Sequence, residues 1–359
     1  MLYLGTSFAD ATIYGTFDQA YRSDKTTIGT AASNTKKGID SVLNGGMAIG
    51  FKGSEDLGGG LTASFVAEIG FEPSDPYTAY SANTSAGLTT GAAVTGTASF
   101  SNGVNNRQSF VGLSGGFGSL NVGRQYSNIF NAACGNDVGG CANMAGNLAI
   151  MTATDASQDV RRANQVNYNL PSFAPGLTIQ LGRSFGETVR VGANATNNAG
   201  DGSSFTFGYS TSGISATYAS ETVDNTGQFG GYINAQAAST TSKRKTNVTA
   251  LSYDAGVIKL HFTNTKSSIG TGVTKANMYG VSAPLGSSAS IGFEMGTGDT
   301  KSIASTTTSK LKGSQLAFNY SLSKRTLAYF RQGSASETTA AGANAGKAST
   351  TAFGVSHNF

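Results

Sequence analysis

Between residues 126 and 160 the chain places two cysteines, Cys134 and Cys141, and three aspartates, Asp137, Asp155 and Asp159. Arg124 stands on one side of this segment, and Arg161 and Arg162 on the other. Two thiols enclosing six residues can pair with each other, but with no histidine nearby they are too few to hold a metal. The other chemistry on offer is electrostatic, with carboxylates inside the segment and guanidinium groups at its ends. No catalytic constellation accompanies them. The two histidines, His261 and His357, are far apart, and neither has a cysteine or paired carboxylates at ligand spacing. Serine is abundant, yet no nucleophile-elbow motif surrounds any of it. The run Gly58, Gly59, Gly60 follows a turn and opens a strand-like stretch, so it lacks the helix N-terminus that a phosphate site uses. Neither an enzyme nor a cofactor is expected.

What must position these groups is a β-framework. Segment 126–160 has no sustained period of two and no long amphipathic stripe, and connections of such length in a compact domain are usually functional. On both sides of it the chain alternates polarity in runs that end in turn residues. They are residues 12–22, 46–53, 61–71, 106–115, 118–125, 162–170, 176–185, 203–211, 214–223, 243–253, 257–266, 273–283, 289–298, 311–320, 326–332 and 349–359. Tight turns alternate with longer connections such as 23–45, 73–105, 224–242 and 333–348. Sixteen dyad strands, short turns at one end and long loops at the other, are the pattern of a closed transmembrane β-barrel. Each run is long enough for a tilted crossing of a hydrocarbon layer, and only closure satisfies every backbone group there. A sandwich rarely needs so many strands, and a β-helix would show a fixed repeat. The fold expected is therefore all-β, a 16-stranded antiparallel barrel, with segment 126–160 folded into its lumen.

Composition agrees. Glycine is abundant at 49 residues, charged residues are only 12%, and no stretch approaches a membrane helix. The 20 Phe and 14 Tyr recur along the chain, which disordered segments do not show. A net charge of +4 on this length does not suggest nucleic-acid binding. Residues 1–9, with a boundary anywhere from 9 to 11, read as the tail of a secretory signal peptide with small residues at peptidase spacing. The alternative is a short first strand. Residues 10–359 form one barrel domain. Export implies an oxidising compartment, where Cys134 and Cys141 are expected to form a disulfide at the tip of the loop.

Several stretches resemble the general porin family of Gram-negative bacteria, above all its β-proteobacterial branch. They are FKGSEDLGGGLTASFVAEIGF (residues 51–71), VGLSGGFGSLNVGRQY (111–126), NYNLPSFAPGL (167–177), LSKRT (322–326) and the terminal Phe359. The resemblance implies a homotrimeric outer-membrane barrel with short periplasmic turns and long extracellular loops, through which small hydrophilic solutes and ions diffuse. In that family the third extracellular loop folds into the pore, and here it falls on 126–160. A ladder of basic wall residues faces acids on that loop. Arg124 and Arg162 match the wall positions, with Arg161 beside them, and Asp137, Asp155 and Asp159 are the acids available. Strict alternation from Leu120 and Val122 turns Arg124 outward, so its assignment requires a bulge or strand end there. The alternative for both arginines is a place at the rim. Thr16 and Ala48 stand where relatives carry basic residues, and the acidic loop motif of enterobacterial porins is absent. Weak selectivity with a slight lean to anions is expected. The terminal strand, with Phe353, Val355, His357 and Phe359 on one face, matches the signal read by the barrel-assembly machinery. Lys36, Lys37, Lys243, Arg244 and Lys245, at loop ends, either meet outer-membrane lipid and lipopolysaccharide or form a solvated rim. The runner-up reading is a substrate-preferring channel with Tyr126, Phe130 and Tyr168 as an aromatic track. A third is a structural or adhesive barrel acting through its loops.

Overall fold

The computed structural model describes residues 11–43, 46–71, 104–153, 160–186, 200–224, 228–230, 235–237, 243–301 and 307–359. In chain order the elements are β1 (Thr12–Ile28), β2 (Asn34–Asp40), β3 (Met47–Gly58), β4 (Leu61–Phe71), β5 (Val104–Gly115) and β6 (Gly118–Tyr126). Two short helices follow, α1 (Asn128–Cys134) and α2 (Leu148–Ala153). Then come β7 (Arg161–Asn169), β8 (Leu177–Ser184), β9 (Gly202–Thr211), β10 (Ile214–Asp224), β11 (Gln228–Gly230) and β12 (Ala235–Ala237). The last seven are β13 (Lys243–Asp254), β14 (Lys259–Ile269), β15 (Gly272–Leu285), β16 (Ala289–Lys301), β17 (Ser309–Ser321), β18 (Thr326–Thr338) and β19 (Asn344–Asn358).

Every neighbour in the sheet is antiparallel, and β1 closes the ring by pairing with β19 on one side and with β2 and β3 on the other. Because β2 and β3 are two halves of one stave, the barrel has sixteen, as expected. The small hairpin of β11 and β12 lies outside the ring. At the seam the last residue takes part, since Phe359 and Gly15 exchange backbone hydrogen bonds of 3.2 and 3.3 Å. The Phe359 ring packs on Phe17 at 5.8 Å between centroids, which in turn meets Phe71 edge-on. A β-carbon on Gly15 would strike that ring, so glycine is required there.

The period of two divides the wall into two chemistries. On β13 to β16 the paired residues Leu251, Phe262, Tyr279 and Met295 form one rung of the outer face, which is apolar and largely exposed. The rung of opposite parity, His261, Gly280, Glu294 and Gln315, points inward. An apolar exterior around a polar interior inverts a soluble protein and suits a barrel with lipid outside and water within.

Two features differ from the sequence expectation. The first strand continues to Ile28, and the stretch 23–45 contains β2, which pairs with β1 as an exposed polar hairpin. Threonine, serine and lysine there keep a strand-compatible pattern but lack the apolar alternation that marks a lipid-facing stave. Between β2 and β3 the chain then leaves the wall, and Val42 is fully buried inside the barrel. The connections 72–103 and most of 225–242 lie outside the described residues.

Candidate functional site

The inserted loop begins where β6 ends. Ser127 caps α1, its hydroxyl accepting from the Phe130 amide at 3.2 Å. Ile129, Ala132 and Ala133 of α1 pack with Ala153 of α2 against Ala219 and Val248 of the inner wall. The chain then turns through Gly135, Asn136 and Asp137, and Cys134 and Cys141 form the expected disulfide across a Cα separation of 5.4 Å. Further on, Ala145, Leu148 and Ala149 pack against Ala276, Met278, Leu311, Ala335 and Ala348. The loop can lie flat because the wall beneath it is small. A β-carbon at Gly280 would stand 2.7 Å from Val138, and one at Gly313 would stand 2.7 Å from the Leu148 side chain.

Polar contacts complete the anchoring. Asn136 donates to the Leu251 carbonyl (3.1 Å), the Phe262 carbonyl (2.8 Å) and Thr263 Oγ1 (3.0 Å). Its own carbonyl lies 3.2 Å from His261 Nδ1. Asp137 accepts from Asn147 Nδ2 at 2.7 Å, from Gln315 at 3.4 Å and from the Cys141 amide. Gln315 also donates to Glu294 at 2.5 Å. Asp137 therefore staples the loop to itself and to the wall, a role its position in the sequence did not reveal. Asp155 and Asp159 lie outside the described residues.

The arginines separate into three environments. Arg162 points inward and pairs with Glu221 at 2.5 Å, with both side chains buried. Arg161 lies 4.6 Å above the Tyr126 ring and donates to its hydroxyl at 2.9 Å. That ring also stacks on Phe130 of the loop at 5.3 Å. Among the described residues no carboxylate stands within ion-pair distance of Arg161. Arg124 shares the parity of Val122, pairs with Ser109, and its Nε donates to the Asn106 carbonyl at 3.0 Å. This is the outer face. An irregularity does occur here, but its extra residue lies in β7, around Asn164 with its positive φ of 47°, so it does not turn Arg124 inward. The constriction assigned to Arg124, Arg161 and Arg162 together is thus divided by the register.

Sequence reasoning missed the partners of this corner. Arg107 pairs with Glu68 at 2.5 Å and donates to the Tyr126 hydroxyl at 2.9 Å, while Tyr14 donates to Glu68 at 3.1 Å. Glu68 carried a signal, since it falls on the polar parity of Thr62 and Ser64 in an otherwise apolar strand. Arg107 is the extra residue of a bulge between β4 and β5, which the alternation could not show. Arg331, also missed, lies 5.3 Å above the Tyr329 ring and donates to the Phe318 and Phe330 carbonyls and to Asn319. Tyr168 is far from the loop, its hydroxyl on the Phe117 carbonyl at a tight turn. Arg183 stands on the outer parity and pairs with Asp201 at 2.6 Å. The described residues contain no group of three or more His, Cys, Asp or Glu suited to a metal.

A model of the Gram-negative porin family matches residues 4–340. Among curated proteins the chain is similar to the major outer membrane protein P.IB of Neisseria gonorrhoeae, 32% identical over 218 residues. That match covers 59% of this chain and 52% of the relative, so the chain spans about half the length of the curated relatives it matches. Among solved structures it resembles an anion-selective porin from Comamonas acidovorans, with a TM-score of 0.73 at 21% identity, covering 98% of this chain and 100% of the other. It also resembles OmpT of Vibrio cholerae in a trimer form, with a TM-score of 0.63 at 12% identity, covering 98% and 99%. Identities this low establish a shared fold.

Proposed function

This chain belongs to the Gram-negative porin family, and on that premise we propose that it forms a water-filled channel for passive diffusion of small hydrophilic solutes and ions across the outer membrane. The observation that carries this reading is a closed barrel, apolar outside and polar inside, with loop 126–160 pinned within its lumen. The channel's selectivity is weak and leans to anions. Arg161 supports the lean because it presents a guanidinium without a carboxylate partner among the described residues, beside the inserted loop, where charge at close quarters sets ion preference. Arg331 adds a second such cation. Opposing them, Asp137 and Glu294 keep the preference small. The anion-selective porin of similar fold is consistent with this sign.

The assembly is a homotrimer, a reading supported by the trimer form of a neighbour of the same fold. Outer-membrane lipid and lipopolysaccharide contact the outer rim. Lys243 and Lys245 face outward while Arg244 between them is buried, so the period of two divides that basic triplet. On neighbouring staves Lys266 stands directly opposite Lys275, and on the next stave Asp299 stands opposite Lys275 and pairs with Lys310 at 2.7 Å. Like charges facing each other across a ladder repel; Asp299 offsets part of the repulsion between Lys266 and Lys275, and anionic headgroups relieve the rest. Phe359, closing the seam, is the signal for the barrel-assembly machinery.

Single-channel recording from the purified protein in a planar bilayer, followed by the zero-current potential under a salt gradient, tests the reading. Large unsaturated steps in threes with a small anion-side potential are expected. Saturable block by one solute would favour a substrate-preferring channel, and a lumen that passes no current would overturn the proposal in favour of a structural or adhesive barrel.

A further inference from the structure

The break between β2 and β3 sends residues 41–43 into the lumen, where they meet the far limb of the inserted loop. Two amides of this detour, those of Val42 and Leu43, donate to one carboxylate oxygen of Asp18 at 2.7 and 2.8 Å. The other oxygen accepts from the Tyr329 hydroxyl at 2.7 Å. Asp18 and Val42 are fully buried. The Val42 carbonyl then accepts from the Asn143 amide of the inserted loop at 2.6 Å. Val42 also packs in one cluster with Ala142 and Met144 of that loop and with Ala20, Tyr329 and Ala352 of the wall. One residue further, the Ala145 amide donates to Thr350 Oγ1 at 3.2 Å, and Thr350 donates to Asp24 at 2.6 Å.

We propose that residues 41–43 are a second lumenal element of the channel, a latch on the inserted loop, and that Asp18 is the positioning residue that sets it. Asp18 touches no atom of the inserted loop in any of these bonds. It acts by fixing two consecutive amides, which turns the Val42 carbonyl toward Asn143 and seats Val42 against Met144. A buried carboxylate is costly without donors, and here it collects three. The cost is offset only when the detour is in place, so the first loop and the third are held as one unit. The width and steadiness of the conducting path then depend on a residue of the first strand.

This inference concerns the loop of the channel proposed above, and its test keeps the two apart. Hydrogen exchange on the folded protein is compared for the unaltered chain, Asp18→Asn and the gentler Tyr329→Phe, with heat-modifiable migration showing that the barrel has formed. Asp18→Asn removes the charge that accepts the two amides, and exchange at Val42 and Leu43 should rise roughly tenfold or more. The distinctive result is a parallel rise at Asn143 and Ala145, which Asp18 does not touch. Tyr329→Phe should move all four amides in the same direction by less. If exchange rises at Val42 and Leu43 alone, the latch is overturned whatever the channel conducts. In the bilayer, both variants should show more frequent brief closures with the anion-side potential altered; traces identical to the unaltered protein would remove the latch from the conducting path.

Discussion

The carbonyl oxygen of Ala145, in the inserted loop, occupies the place where a β-carbon on Gly333 of β18 would lie. Loop backbone and wall backbone are in direct contact there, with no side chain between them. The same holds where Gly146 meets Ser314 and Gly313. Such an approach fixes the loop by sterics as much as by hydrogen bonds.

Gly333→Val should therefore displace the far limb of the loop toward the channel axis. Overpacking of this kind typically costs about 1–3 kcal/mol, and here the loop yields before the sheet does. Single-channel conductance should fall while heat-modifiable migration stays unchanged. Unaltered conductance would mean that the limb does not border the conducting path.

Reducing the disulfide should act on the loop alone. In a chain-entropy description, closing a loop as short as that between Cys134 and Cys141 is worth ~2 kcal/mol, and the ring of staves is not part of it. Replacing both cysteines by serine, or adding reductant, should leave the melting of the barrel in place and raise current noise. The two treatments should agree, and recordings as quiet as those of the oxidised protein would show that Asn136, Asp137 and the wall hold the tip unaided.

Three arginine variants should behave in three different ways. Arg161→Gln removes a cation beside the loop and should shift the zero-current potential toward cations. Arg124→Gln, on the outer parity, should leave that potential where it was. Arg162→Gln leaves Glu221 buried without its ion partner, and breaking such a pair costs about 3–5 kcal/mol. Its principal effect should be on thermal stability, read by the temperature at which the folded band disappears.

Ionic strength offers a check that needs no mutation. Between 0.1 M and 1 M salt the screening length falls from about 10 Å to about 3 Å. A preference set by a few charges such as Arg161 should shrink over that range. A potential that persists at high salt would point to size or to a bound solute as the discriminating factor.

The staves themselves were legible in the sequence, because a wall with lipid on one face and water on the other writes a period of two into every strand. Tight turns such as Gly116–Phe117 and Ser212–Gly213 were legible for the same local reason, as glycine marks where the chain reverses. The inserted loop could be recognised by what it lacked, a sustained period, and its cysteines by their spacing. The β1–β2 hairpin was not legible, since above the lipid the alternation loses its apolar half.

What only the tertiary structure decided is which groups meet. Arg107 and Glu68 are brought together by a bulge, and Tyr126 reaches them from the end of the adjoining strand β6. Arg124 and Arg162 occupy equivalent places at the two ends of the loop, yet one faces outward and the other inward because the extra residue lies in β7 and not in β6. Asp18 and Asn143 join through Val42 although nothing in their neighbourhoods announces it. Alternation is a property of each strand alone and survives in the linear order. Register, bulges and inward detours depend on pairing between strands distant in that order, and folding must occur before they exist.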